Sequence, residues 1–546
     1  YQGIWVNEED IERLSDTYAE NEKILNDFAT DAVNLVNVIH GKAKIAETAG
    51  EAYGTYNTDV SPWLVGWIIG IEWDPNFVIN TNNQHPDKKD YDGAFLCRVG
   101  DALIKHEAET YKFQVPLAFS NWITTDPLTH PNEPHFDEDK ATVNTENVKC
   151  RNFGPGMFAS YHIYPYYPDS LNYQEDYLEY TDDSGKVNTY EAYLEDLKLA
   201  HTVPIIVAEF GIPTSRGMGH ESVMGYNQGM VDETAQGAML IDMLGSIENA
   251  KYAGGIVFTW QDEWFKRTWN NVMFDIADRR PYWSNIQTTE QCFGLLAFDP
   301  GKESMAAYVD GDVSEWKNTQ PTVTTGQGKL YIADQGNLKA AQYNAEFDTA
   351  ADFLIYINGK DNSHIYVDRY YDAFNYYFLE SKKLSDIKAE ENAGVKNSGM
   401  FDIMRLCYGY NLTVKGTNQV VPDKAYETGK LRYGNGNPKA QEYKSLSDFY
   451  FKNGKLEIRI PWQLLNVMDP SGKQQISDFR KTQVISPQAY QSFDFGFAYR
   501  TGAESLKITL GGSYEYNGWN TPTWHERLKP AYYELQNYFK KFTEKK

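Results

Sequence analysis

Ile68-Ile69-Gly70-Ile71-Glu72-Trp73-Asp74-Pro75 and Ile205-Ile206-Val207-Ala208-Glu209-Phe210-Gly211 are the two stretches on which the reading of this chain turns. Each runs a short apolar segment straight into one glutamate. A continuous apolar run of this length reads as a strand covered on both faces, which is the situation of a parallel sheet. In a parallel (β/α) barrel the C-terminal strand ends collect the chemistry-bearing groups, so Glu72 and Glu209 become candidates for one shared site.

Outward from these two runs, the first ~300 residues alternate strand-like and helix-like patterns at the spacing of βα units. The strand segments are Gly3-Ile4-Trp5-Val6, Pro62 to Glu72, Val115 to Trp122, Gly156 to Tyr164, the run ending at Glu209, and Gly254 to Trp260. Helical patterns run from about Glu9 to Ile45, Gly93 to Tyr111, Tyr190 to Ala200 and Glu233 to Ala250. That makes six strands where a closed barrel has eight, so if the last is strand eight the chain opens at strand three. Such a fragment exposes two sheet edges, an aggregation-prone arrangement, and the expectation is an N-terminal fragment or a second chain that completes the barrel.

The pattern changes around Asp299 to Met305. From Tyr308 onward it becomes short alternating strands separated by Gly/Asn/Asp turns: Lys329 to Ala333, Phe353 to Asn358, Phe374 to Leu379, Leu456 to Pro461 and Phe493 to Arg500. This is the signature of an antiparallel β-sandwich. Trp524 to Phe542 reads as an amphipathic helix that packs back on the barrel. The expected division is a TIM (β/α)8 barrel domain over 1–300, with strands 3–8 present, a β-sandwich over 306–515, and a terminal helix within 520–546.

A chain of 546 residues is long enough for such a barrel and a further module. The formal charge of -25 argues against nucleic acid or an anionic membrane surface, both of which would repel it. No apolar run reaches the ~18 residues of a membrane span. Aromatic residues make up 15% of the chain, including 40 Tyr and 13 Trp, and their flat faces suit the C–H surfaces of sugar rings, although Tyr also fills β-rich cores. Cys97, Cys150, Cys292 and Cys407 are scattered, which suggests neither a disulfide framework nor a C-x-x-C metal site. The chain begins with Tyr1 and shows no signal-peptide pattern, and is read as a processed or truncated product whose targeting segment lies upstream.

Two carboxylates facing each other are the equipment of glycoside hydrolysis: one attacks the anomeric carbon while the other, kept protonated, gives its proton to the leaving oxygen. The strand ending at Glu72, the strand Tyr161-His162-Ile163-Tyr164-Pro165-Tyr166-Tyr167, the Ala208-Glu209-Phe210-Gly211 turn and the strand ending in Trp260 together resemble the clan A glycoside hydrolases, of family 2 or 5 type. The resemblance covers residues 1 to about 300. It implies that Glu209 is the nucleophile and Glu72 the general acid/base of a retaining enzyme. It further implies that Tyr164 orients Glu209, that His162 fixes the sugar or the acid/base, and that Trp260 is the floor on which a sugar stacks. Asn121 and Trp122 close a strand beside a long polar loop, and Asp262, Glu263 and Trp264 mix carboxylates with aromatics, so all five are expected to line the cleft. Glu263 is the reserve candidate for Glu72. The clan usually places Asn before the acid/base glutamate to bind the sugar 2-hydroxyl; Ile71 stands there, so either Asn121 replaces it or the substrate is held differently.

Tyr308-Val309-Asp310-Gly311-Asp312-Val313-Ser314-Glu315-Trp316 and Leu456-Glu457-Ile458-Arg459-Ile460-Pro461-Trp462 resemble the family 9 carbohydrate-binding modules and related sandwiches. This implies sugar binding, and Asp310 or Asp312 either holds a structural calcium or closes an ordinary Asp-Gly-Asp turn. The combined expectation is a retaining glycoside hydrolase, or a transglycosylase of the same chemistry, acting on a carbohydrate without a catalytic metal or organic cofactor, outside the cell or at its surface. The competing expectations are a catalytically silent polysaccharide-binding protein and a structural subunit. The Asn411-Leu412-Thr413 sequon matters only in a glycosylating pathway.

Overall fold

The apolar runs do form strands, and those strands pair in parallel in chain order: β1 (Gln2–Ile4), β2 (Trp67–Ile69), β3 (Leu117–Trp122), β4 (Ala159–His162), β5 (Ile205–Phe210) and β6 (Gly254–Val257). The computed structural model describes residues 1–5, 22–47, 53–84, 95–150, 153–325 and, in shorter pieces, parts of 328–543. Asn411 of the sequon lies outside the described residues. Helices α1 (Glu22–Ile39), α2 (Pro75–Gln84), α3 (Cys97–Tyr111), α4 (Thr189–Leu199) and α5 (Glu233–Asn249) lie between the strands. Neighbour-to-neighbour parallel order with helical crossovers fits part of a (β/α) barrel.

Alternation along each strand decides what faces where. Trp67, Ile69, Leu117 and Phe119 turn outward and join Ile24, Leu25, Phe28, Ala32 and Val36 of α1 and Val99, Leu103 and Ile104 of α3 in one buried cluster. The α1 residues recur at helical spacing, and each fully buried side chain of this kind contributes about 1.5–3 kcal/mol. Ala159, Tyr161, Ile205 and Val207 pack likewise against Tyr190, Tyr193 and Leu197 of α4 and Leu240, Met243 and Ile247 of α5. The caps suit these helices: Asn188 accepts from Glu191 N before α4, and Asp232 accepts from Thr234 N before α5. On the opposite face Ile68 of β2, Ala118 of β3 and Ala208 of β5 come into contact as one small buried cluster. Strands β2 and β5 stand three strand spacings apart, roughly 14 Å in a flat sheet, so this contact means that the sheet is strongly curled.

Beyond β6 the chain does not leave the sheet. Leu296 N donates to Trp260 O at 2.9 Å and Asp262 N to Leu296 O at 2.9 Å. Strand β7 (Leu296–Pro300) thereby continues the edge and pairs antiparallel with β8 (Trp524–Leu528). The sequence reading took Trp524 onward as helix; its first five residues are strand instead, because they complete this ladder. The helix, α6 (Pro530–Thr543), starts at a proline whose fixed φ and missing N–H suit a first turn. It packs on α5 through Ala531 and Leu535. A Cβ at Gly237 would stand 3.0 Å from Ala531 Cα, so this close helix pairing needs the glycine.

The segments after residue 320 are antiparallel, as their alternation suggests. Val323–Thr325, Gly328–Gln335, Leu338–Asn344, Lys455–Pro461 and Phe449–Lys452 make a five-stranded sheet in that order, and Ala351–Ile357, Ser492–Thr501 and Lys507–Glu515 a three-stranded one. This C-terminal module is bolted to the loop after β5. Arg216 donates through Nε and Nη2 to both carboxylate oxygens of Asp448 at 2.8–3.0 Å, with both side chains fully buried. Asp448 also accepts from Arg432 N at 3.0 Å. A buried pair of this kind gains little over an apolar pair, but half of it is costly, since the remaining charge is left without water or partner. Arg216→Leu should therefore destabilise the chain by about 3–5 kcal/mol in urea denaturation, and Arg216→Leu with Asp448→Leu should recover a large part of the loss. An unchanged midpoint in the single variant would show that the two modules do not depend on this pair.

Candidate active site

Gly70, at φ 108°, ends β2 in a conformation that favours glycine, and a Cβ there would lie 2.2 Å from the Trp73 ring. Trp73 is fully buried and donates through Nε1 to Ser120 O at 2.8 Å, while Trp122 donates back to Trp73 O at 3.1 Å. The turn thus clamped buries Ile71 and leaves Glu72 27% exposed on the inner face.

Glu209 reaches the same place by a different device. Strict alternation would send it outward with Ile205 and Val207. Opposite β4, however, Tyr161 pairs with Val207 and His162 with Glu209, so Ala208 is an extra residue in the ladder. The register against β6 shifts over the same stretch. This β-bulge puts Ala208 and Glu209 together on the inner face and returns Phe210 to the outer cluster.

The result is a compact constellation. One carboxylate oxygen each of Glu72 and Glu209 and a ring nitrogen of His162 lie within 4.8 Å of one another. His162 Nδ1 stands 3.1 Å from Glu72 Oε1 and 3.5 Å from Glu209 Oε2, and its Nε2 3.0 Å from Ser120 Oγ. The proton position on the His162 ring sets which of these groups donates and which accepts. Tyr164 donates its hydroxyl to Glu209 Oε2 at 3.0 Å. Burial pushes the Glu209 carboxyl above the usual range and the Glu72 charge adds to it, against His162, the Tyr164 hydroxyl and Lys266.

The other sequence candidates divide. Trp122 sits at the rim, its ring 6.1 Å from Tyr167. Glu263 pairs with Lys266 at 3.2 Å, and Lys266 lies 4.5 Å over the Phe258 ring. Asn121 does not face the cleft: alternation puts it outward with Leu117 and Phe119. It is fully buried, donating to Thr125 O and Val143 O and accepting from Trp122 N and Thr125 Oγ1. Trp260 is half exposed and sets its ring against Tyr532 of α6, while Phe258 stands by Tyr164. Asp262 belongs to a seam, paired with Lys529 at 2.7 Å, its carboxyl pushed up to about 6 by burial. Trp264 lines the same cavity as Asp262 and Lys529.

Four neighbours of the site escaped the sequence reading. Ser120 is two positions before Trp122, and alternation alone would have found it. Trp5, at the end of β1, is half exposed with its ring 6.0 Å from His162. Lys266 and Glu290, 3.8 Å apart, come together from distant loops. Glu290 also accepts from Gln228 at 2.7 Å; burial pushes it up to about 7, Lys266 opposes this, and Glu72 and Glu209 add to it. In the C-terminal module, Asp310 and Asp312 each accept from a backbone amide two residues on, closing a turn, and Asn437 donates to Asp310.

A curled parallel sheet carrying two carboxylates and an imidazole at its C-terminal rim is the class of scaffold that these observations define. No family model matches the chain, and no curated protein matches it. Among solved structures it is similar to a hyperthermostable endo-1,4-β-D-mannanase from Thermotoga petrophila, with 11% identity and a TM-score of 0.24 over 43% of this chain and 54% of that one. A second endo-β-1,4-mannanase structure from Thermotoga petrophila gives 7% identity and a TM-score of 0.24 over 91% and 72%. A glycoside hydrolase family 5 mannosidase from Rhizomucor miehei gives 10% and 0.21 over 45% and 49%. The chain spans about half the length of the first of these. Likeness at these values bears no weight on activity, which is read from the site itself.

The raised Glu209 has a consequence for stability. A carboxyl whose folded pKa lies above its unfolded value favours folding fully below the unfolded pKa, and loses that contribution as pH rises through the folded pKa. At neutral pH the buried charge is therefore a burden. Glu209→Gln should melt above the wild type at pH 7, and the difference should shrink towards zero near pH 4. A difference independent of pH, measured by calorimetry, would contradict the burial argument.

Proposed function

We propose that this chain is a retaining glycoside hydrolase, or a transglycosylase of the same chemistry, acting on an oligosaccharide or polysaccharide. The observation that carries this reading is the approach of the Glu72 and Glu209 oxygens to within 4.8 Å across the curl. Retaining enzymes hold their carboxyl groups ~5–5.5 Å apart, and inverting ones ~6.5–9.5 Å apart to admit a water between them. Glu209, held by Tyr164, attacks the anomeric carbon. Glu72, the more exposed of the two, protonates the leaving oxygen and then deprotonates the water that releases the sugar. His162 bridges the pair and fixes both orientations. Trp5 offers a stacking face at the mouth. The double displacement uses no metal or organic cofactor, and a polysaccharide substrate places the protein outside the cell or at its surface.

One observation favours the silent-binder reading: Ile71 cannot donate to a sugar 2-hydroxyl, and the amide of Asn121 is fully engaged elsewhere. Assays on a panel of neutral polysaccharides separate the two readings. The enzyme releases reducing ends, and Glu209→Gln loses turnover by at least ~10³-fold while keeping sugar affinity. A wild type that binds without turnover anywhere in the panel is a binder.

The roles of the two glutamates are tested by azide rescue. Glu72→Ala should yield a glycosyl azide of retained configuration, and Glu209→Ala one of inverted configuration. The opposite pattern by NMR would exchange the roles. Because Glu209 acts as the carboxylate and burial raises its pKa, kcat/KM should fall on the acid side at a pH above the ordinary glutamate range, near 4.3. An acid limb at or below that range would remove Glu209 as the base form required for attack.

A further inference from the structure

The cysteines that looked scattered in the sequence are not all scattered in space. Cys97 is the first residue of α3, and Cys150 lies 53 positions later on the segment that leads into β4. Their sulfur atoms and a carboxylate oxygen of Asp101 lie within 4.8 Å of one another. Cys97 Sγ is 3.1 Å from Lys149 O, the carbonyl just before Cys150, and Cys150 Sγ is 3.9 Å from Cys97 O. The recess is shaped by Gly100, since a Cβ there would stand 2.8 Å from Cys150 Sγ.

We propose that Cys97 and Cys150 are a disulfide site, closed by exchange with a small-molecule disulfide, that staples the start of α3 to the entry of β4. Cys97 is the entering thiol. Cys150 is the resolving one: burial pushes its thiol up, and the neighbouring Cys97 and Asp101 push it further. The Cys97 thiolate attacks one sulfur of the external disulfide, forming a mixed disulfide and expelling one thiolate. Cys150 then loses its proton to solvent and attacks Cys97 Sγ, expelling the second. Two protein thiols are oxidised and one external disulfide is reduced to two thiols. The closed loop contains β3, so the staple restricts the unfolded chain over the segment that presents Ser120 and Trp122.

The test uses the full chain, reduced and then equilibrated with oxidised glutathione. Thiols counted under denaturing conditions should fall from four to two, and non-reduced peptide mapping should recover the Cys97 and Cys150 peptides joined. The melting temperature should rise on oxidation. That rise should persist in Cys292→Ser and vanish in Cys97→Ser and Cys150→Ser; if those two fail to fold, the peptide map of the wild type decides alone. Four persisting thiols, a linkage through Cys292 or Cys407, or one zinc per chain that shields both thiols from exchange would each overturn the proposal.

Discussion

A parallel sheet covered on both faces has no place for a lone charge. Trp67, Ile69, Leu117, Phe119, Ile205 and Val207 occupy the outer face, and Ile68, Ala118 and Ala208 fill the inner one. Burying an unpaired carboxylate among them would cost far more than any one of these contacts returns. Charged groups are therefore driven to the C-terminal rim, where they must find one another, and Glu72, His162, Glu209 and Tyr164 do so. Beneath them Ile68, Ala118 and Ala208, two alanines and one isoleucine, share one small buried cluster where the sheet curls.

The bulge at Ala208 converts that curl into a site. Without the extra residue Glu209 would follow Val207 into the α4/α5 layer. With it the glutamate turns inward, still largely buried, and the Tyr164 hydroxyl, His162 and the Lys266 charge offset only part of the burial. A carboxylate kept partly desolvated costs stability, the kind of cost that functional sites commonly carry.

Much of this was legible in the sequence, for identifiable reasons. Continuous apolar runs announced β2, β3 and β5, helical spacing announced α1, α3, α4 and α5, and the glutamates ending two of the runs announced the rim. What escaped was decided by distant partners. Asp262 looks like a cleft residue until Lys529 arrives from 267 positions away. Trp524 to Leu528 reads as amphipathic helix until Leu296–Pro300 offers a ladder. The bulge leaves no mark in the letters Ala208-Glu209, because it is a property of the pairing with β4. Asn121 is a different case: its side of the strand followed from alternation with Leu117 and Phe119, and the polar residue type outweighed that in the reading.

The C-terminal module acts on the site whatever it binds. Arg216, seven residues beyond Glu209, is fixed by Asp448. Glu233, at the start of α5, is held by both nitrogens of the Arg527 fork at 2.8 and 3.0 Å and by the Tyr443 hydroxyl. Lys529 gathers Asp262, Thr214 Oγ1 and Cys292 O from three separate loops. The loops after β5 and β6 carry Phe258, Lys266 and Glu290 near Glu209, so the same segments border the two glutamates on one side and the module on the other. Here β7, β8 and the module hold them by buried ion pairs, which are directional and fail sharply when one partner is lost. Removing the module should disturb the geometry around Glu209, because Arg216, Glu233 and Asp262 would each lose the partner that holds its loop.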